Sequence, residues 1–149
     1  MTIADDVKTV VNAIIGITTT LPGGVYTYED IKRLGINRDM DDDLYDSTTG
    51  LLKNCCVIKE RGQTGDGGAR DIGVASYRQV VEVWLYADGD STYDTLETVQ
   101  ASIFTALDEQ MIGSSNLILR WFANPIKGKD PALDNALVLR SDYGLNTLL

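Results

Sequence analysis

Hydrophobic residues recur every three to four positions in two segments of the chain, and this spacing predicts two amphipathic helices. The first covers residues 4–17 and carries Asp5 and Asp6 in its first turn, where acidic groups favour a helix start. The second covers residues 92–111. Its predicted apolar stripe consists of Tyr93, Leu96, Gln100, Ile103, Phe104, Leu107 and Met111. Each helix therefore offers one face to a core.

Alternation of apolar and polar positions predicts strands between and after these helices. Residues 77–87 form the clearest strand, because the odd positions are mostly apolar and the even positions mix charged with aromatic side chains. Shorter strands are predicted at 25–28, 55–59 and 117–122, with one or two more over 136–148 and a loop between the last two segments. The glycine-rich loop at 62–75 predicts a hairpin that projects from the body.

The order of these elements predicts an α+β fold with a mixed or antiparallel sheet, two main helices packed on one face and a projecting β-hairpin. The chain has 149 residues, which predicts a single domain spanning 1–149. No segment has the length and apolarity of a membrane span, and no basic signal region opens the sequence. We therefore expect a soluble protein that does not act at a membrane.

Charge and residue usage exclude several classes of function. The net charge of −9 argues against a nucleic-acid-binding surface, which needs clustered Lys and Arg. The chain has no histidine, so Ser-His-Asp and Cys-His catalysis and His-containing zinc sites are excluded. Cys55 and Cys56 are adjacent on one predicted strand, where side chains alternate between faces, so they make a poor disulfide pair. We expect no enzyme activity and no cofactor.

An acidic run over residues 39–46 is the sharpest local motif. Its alternating aspartates begin like a calcium loop, but Leu44 stands where glycine is needed and Gly50 stands where a bidentate Glu is needed. We predict a solvated loop without a metal. The alternatives are a weak metal site and a carboxylate pair for general acid-base catalysis. The acidic residues are Asp39, Asp41, Asp42, Asp43 and Asp46.

Large aromatic residues on the predicted strands belong either to the core or to a subunit interface. They are Trp84, Tyr86, Trp121 and Phe122. The even face of residues 77–87 favours an interface, because it is neither a uniform core face nor a uniform solvent face. Two arginines, at 61 and 70, are the expected charged contacts of the glycine-rich loop. The candidate interface for a second subunit or a partner therefore consists of Arg61, Arg70, Arg78, Glu82, Trp84 and Tyr86.

The arrangement of these segments resembles the tail terminator (tail completion) proteins of long-tailed bacteriophages. The first helix, followed by Leu21-Pro22 and the strand at 25–28, is similar to the opening of that family. Residues 49–53 and 57–61 are similar to its next strand. The resemblance continues through the glycine-rich hairpin into residues 78–86, then through the helix carrying Tyr93, Leu96, Val99, Ile103 and Leu107, and into the closing segment from Leu137 to Tyr143.

This resemblance implies a homohexameric ring that terminates the tail tube and joins the tail to the head. The implied partners are further copies of the chain, the tail tube protein and the head-tail connector protein. Genomic DNA is expected to pass through an acidic lumen without specific binding. The implied location is the neck of the virion, with assembly in the host cytoplasm. Alternatives are another neck protein, such as a head-completion or tail tube protein, an acidic monomeric adaptor, and, from a different class, a small metal-dependent hydrolase that uses residues 39–46.

Overall fold

The computed structural model describes residues 3–31, 36, 41–65, 76–112 and 118–148, with no side chains described at 62–65, 76–78 and 145–148. In this part of the chain there are four α-helices, which are α1 (Ile3–Asn12), α2 (Ile17–Thr20), α3 (Tyr28–Ile31) and α4 (Tyr93–Leu107). No helix among these residues is both long and apolar enough to cross a membrane.

Six strands form one sheet in the order β1-β2-β3-β6-β5-β4. Strand β1 runs parallel to β2, and all other neighbours are antiparallel, so the sheet is mixed. The predicted α+β class is confirmed. The strands are β1 (Gly24–Thr27), β2 (Cys55–Gly65), β3 (Ser76–Ala87), β4 (Gln110–Met111), β5 (Ile118–Asp130) and β6 (Ala136–Leu148).

Both faces of the sheet carry apolar residues, but they are covered in different ways. Helices α1 and α4 pack on one face, where the predicted odd positions of β3 from Val81 to Ala87 are buried. A short segment, residues 44–52, covers part of the opposite face and buries Leu44, Tyr45 and Leu52 against Cys55, Val57 and Tyr86. We call residues 44–52 the cover segment. Because successive residues of a strand alternate between faces, β2, β3 and β6 each contribute buried residues to both cores.

The first predicted helix is interrupted. It ends at Asn12, and Gly16 in the following turn has a φ of 80°, a left-handed conformation that favours glycine. Helix α4 ends at Leu107 instead of 111, because Asp108 is extended and Glu109 adopts a φ of 60°. Residues 110–111 then pair with β5 as a strand.

Strand β5 is longer than the predicted strand at 117–122. It runs to Asp130 and includes Pro125 and Gly128, which were expected in a loop. Two shifts in its register against β6, between Trp121 and Ala123 and between Ala123 and Ile126, accommodate the proline. The β2–β3 hairpin is paired as far as Gly65 and Tyr77, and β6 accompanies β3 along its whole length, so the outer part of the hairpin is three-stranded. The tip of the glycine-rich loop, residues 66–75, lies outside the described residues.

Candidate subunit interface

Trp84 lies at the centre of the sheet face opposite the helices, just beyond the cover segment. Its ring is half-buried and stacks against Tyr86, with 6.3 Å between ring centroids and 12° between ring planes. The indole Nε1 donates a hydrogen bond of 2.9 Å to Glu82 Oε1. These three residues occupy alternate positions of β3 and therefore share one face. The indole is thus held from two sides while part of its surface stays accessible.

Two cations from the neighbouring strands lie over the indole. Lys59 Nζ of β2 is 4.1 Å from the ring centroid, and the guanidinium carbon of Arg140 on β6 is 5.4 Å from it. The sheet register produces this arrangement, because it pairs Lys59 with Glu82 and Trp84 with Arg140. Both distances are within the range of a cation–π interaction. Burial lowers the pKa of Lys59, and the repulsion from Arg140 adds to this effect.

An ionic network continues from the indole toward the outer part of the hairpin. Asp142 accepts two hydrogen bonds of 2.8 Å from Arg140, and these raise the pKa of the guanidinium. Glu82 Oε2 lies 3.1 Å from nitrogens of both Arg61 and Arg140, and a second Arg61 nitrogen is 3.5 Å from Asp142. Both carboxylates are buried, whereas the Arg61 side chain is 46% exposed. Buried carboxylates at this position depend on their cationic partners.

We call this group the Trp84 cluster. Its members are Lys59, Arg61, Glu82, Trp84, Arg140 and Asp142. Within the cluster three cations face two buried carboxylates, and a third carboxylate, Asp130 of β5, also acts on Lys59. What the arrangement offers to a partner is a flat aromatic surface edged by cations.

The structure brings together three of the six predicted interface residues, Arg61, Glu82 and Trp84. Tyr86 stacks on Trp84 but is only 3% exposed, because the cover segment packs over it. It therefore supports the indole and is not itself accessible to a partner. Arg70 and the side chain of Arg78 lie outside the described residues. Three of the four members on the adjacent strands, Lys59, Arg140 and Asp142, were not predicted. Their signal was present as a polar alternation at Lys59 and Arg61 and again at Arg140 and Asp142.

The other two candidate aromatics, Trp121 and Phe122, are about 40% exposed. Trp121 contacts Phe104 of α4 edge-on, with a centroid distance of 6.0 Å and an interplanar angle of 82°. It therefore lies on the helical side of the sheet. Its indole Nε1 donates to the side chain of Asn124 at 2.9 Å.

The described part of the acidic run forms a turn at the edge of the cover segment. Asp42–Leu44 is a single 3₁₀ turn in which Asp42 and Asp43 are exposed and Leu44 is buried. Asp46 accepts hydrogen bonds from the N–H groups of Thr48 and Thr49, which lower its pKa. Within the described ranges no three His, Cys, Asp or Glu side chains converge as metal ligands. Asp39 lies outside these ranges.

Comparison with known proteins gives a likeness in structure but none in sequence. No protein-family model matches the sequence, and no curated protein matches it either. Among solved structures, the chain is similar to a chain in the virion of a native gene transfer agent (GTA) particle, with a TM-score of 0.59 and 10% sequence identity. The match covers 98% of this chain and 94% of the other. At that identity the comparison shows a shared fold.

Proposed function

We propose that this protein is a structural component of a phage-like virion, and that it forms the ring that terminates the tail tube and joins it to the head connector. The single observation that carries this proposal is the shared fold with a chain of the GTA virion over nearly the full length of both chains. The segments that resemble tail terminator proteins support the same assignment. In this role the protein acts by assembly and catalyses no reaction.

The Trp84 cluster is the proposed contact between neighbouring subunits. Tryptophan and arginine are enriched among residues that dominate binding energy at interfaces, and those residues are partly enclosed and held rigidly before binding. Trp84 meets these conditions, because Tyr86 stacks on it and Glu82 accepts its indole hydrogen bond. A rigid aromatic surface loses little conformational entropy when a neighbour covers it.

The negative charge suits a ring around DNA. A ring of six copies, each with net charge −9, carries a total charge of about −54. The electric field of this charge repels a polyanion at short range. Salt screens it beyond about 8 Å at physiological ionic strength. Such a lumen lets DNA pass without binding it, which agrees with the shortage of Lys and Arg in the sequence.

A Trp84→Ala variant tests the interface. We expect the association between subunits to weaken by about 2 kcal/mol, or roughly thirtyfold in Kd. Phe104→Ala is the matched control, since Phe104 is an exposed aromatic on α4, which packs on the opposite face of the sheet, and we expect it to leave assembly unchanged. The measurements are native mass spectrometry of the purified protein and electron microscopy of tail tubes incubated with each variant.

The two parts of the proposal fail separately in this experiment. Wild-type protein that forms rings neither in solution nor on tail tubes contradicts the ring. Rings that form with wild-type affinity in the Trp84→Ala protein contradict the interface and leave the ring standing.

A further inference from the structure

We propose that the Trp84 cluster binds the acidic turn Asp42–Leu44 of a second copy of this chain. This inference rests on the proposed function, since it names the surface that the subunit interface meets on the neighbour. In a ring the two surfaces of each contact are different patches of the same chain, so one chain has to carry both halves of a complementary pair. The cluster and the acidic turn are such a pair.

The cluster defines the chemistry of its occupant. Lys59 lies over the indole and Arg61 is 46% exposed, so cations border the accessible part of the ring. The two carboxylates of the cluster are buried, with Glu82 at 7% and Asp142 at 3% exposure, so the charged groups that the cluster itself presents to a neighbour are cations. An occupant that brings carboxylates next to an apolar group fits this surface, because guanidinium and ammonium groups pair with carboxylates and the ring packs against hydrocarbon.

The acidic turn presents this chemistry on a fixed base. Asp42 and Asp43 are exposed, while the next two residues, Leu44 and Tyr45, begin the cover segment and are buried against the sheet. Lys53 Nζ donates to the backbone oxygen of Asp43 at 3.1 Å, which ties the turn to the start of β2. The nearby side chain of Leu51 is 43% exposed and supplies the apolar contact.

Within one subunit the two surfaces do not satisfy each other. The carboxylates that act on the pKa of Lys59 are Glu82 and Asp130, and neither Asp42 nor Asp43 contributes. Both surfaces lie on the same side of the sheet, with the acidic turn raised on the cover segment and the cluster on the open part beyond it. A neighbour's raised turn therefore has a lower, oppositely charged surface on which to rest.

Charge reversal with rescue tests this contact. Asp42→Lys/Asp43→Lys and Lys59→Glu are each expected to weaken self-association at least tenfold. The variant with all three substitutions is expected to bind at least threefold more tightly than Asp42→Lys/Asp43→Lys, because the charges are then exchanged across the contact. The matched control is Asp94→Lys/Glu109→Lys, which alters net charge by the same amount as Asp42→Lys/Asp43→Lys at exposed sites elsewhere and is expected to stay within threefold of wild type.

Self-association is measured by sedimentation equilibrium at roughly 0.05 and 0.5 M NaCl, where screening differs strongly. Circular dichroism verifies that each variant is folded, and Lys59→Gln replaces Lys59→Glu if the latter is not. Wild-type affinity in Asp42→Lys/Asp43→Lys, or no gain in the triple variant, overturns the inference. Rescue accompanied by rings supports both the inference and the proposed function, whereas rescue accompanied by a closed dimer supports this contact and contradicts the ring. If wild-type protein self-associates only on tail tubes, electron microscopy of tubes incubated with each variant replaces sedimentation, and self-association in neither setting overturns both.

Discussion

Arg140 is the residue whose loss is expected to cost the folded subunit most within the Trp84 cluster. It makes two hydrogen bonds to Asp142 and an ion pair with Glu82, and its side chain is 17% exposed. Arg140→Met keeps the hydrocarbon that packs near Trp84 but removes the charge. The two buried carboxylates then keep their ion pairs with Arg61, at 3.1 and 3.5 Å, and Glu82 keeps the hydrogen bond from Trp84.

Removing one partner of a buried ion pair typically costs about 3–5 kcal/mol, because the remaining charge stays buried without compensation. Since Arg61 remains, we expect Arg140→Met to lie near 3 kcal/mol of unfolding free energy. For a chain of this size that corresponds to a fall in Tm of roughly 6–12 °C. The matched control is Arg61→Met, whose cost should stay under about 1 kcal/mol because solvent screens its half-exposed ion pairs.

Urea unfolding followed by circular dichroism, at protein concentrations where the midpoint no longer depends on concentration, measures these differences. A further variant, Arg140→Met with Glu82→Gln and Asp142→Asn, removes the unpaired charges and should recover much of the loss. The buried carboxylates do not depend on Arg140 if the unfolding free energy of Arg140→Met lies within about 1 kcal/mol of wild type, or if Arg61→Met loses as much.

Two further predictions concern the core. Ile103→Ala should lower the free energy of unfolding by about 2–5 kcal/mol, because Ile103 is 1% exposed. Phe104→Ala on the same helix should lower it by about 1 kcal/mol, mainly through the lost edge contact with Trp121. Urea unfolding compares the two variants, and equal losses would contradict the assigned faces of α4. Burial raises the pKa of Cys55 to about 12 and that of Cys56 as well, so the unfolded chain releases protons above pH ~8.5 that the folded chain retains. The contribution of the two thiols to stability should therefore fall as pH rises above about 8.5 and stay constant below that pH. Urea midpoints measured from pH 7 to 10 check this. A fall of the same size in Cys55→Ala/Cys56→Ala would refute the assignment to the thiols.

The sequence predicts those parts of the fold that depend on local pattern. The stripe on α4 and the alternation on β3 follow from helical and strand periodicity, and Leu96, Ile103 and Leu107 are buried as the stripe indicates. The length of β5 does not follow from periodicity, because Pro125 is a local signal for a loop. Only the pairing with β6, with its two register shifts, allows the strand to continue.

The candidate site is predictable only on its own strand. Glu82 and Trp84 share a face of β3 by alternation, so they were grouped from the sequence. Lys59 and Arg140 lie on β2 and β6, and their approach to the indole depends on the register of two strand pairs that no local pattern specifies. The burial of Tyr86 likewise depends on where the cover segment packs, which is a tertiary contact.

The order of strands in the sheet also sets the order in which the chain folds during synthesis. Strand β3 lies between β2 and β6. The hairpin joins β2 directly to β3, whereas the β6 residues that pair with β3 come 50 to 72 positions later along the chain. Contacts of such long range form slowly, and they cannot form before β6 has left the ribosome. Until then one edge of β3 has unpaired backbone groups, which is a template for pairing with another copy. A newly made chain is therefore most exposed to premature association before β6 is in place, and a chaperone that shields β3 during that interval would raise the yield of assembly-competent subunits.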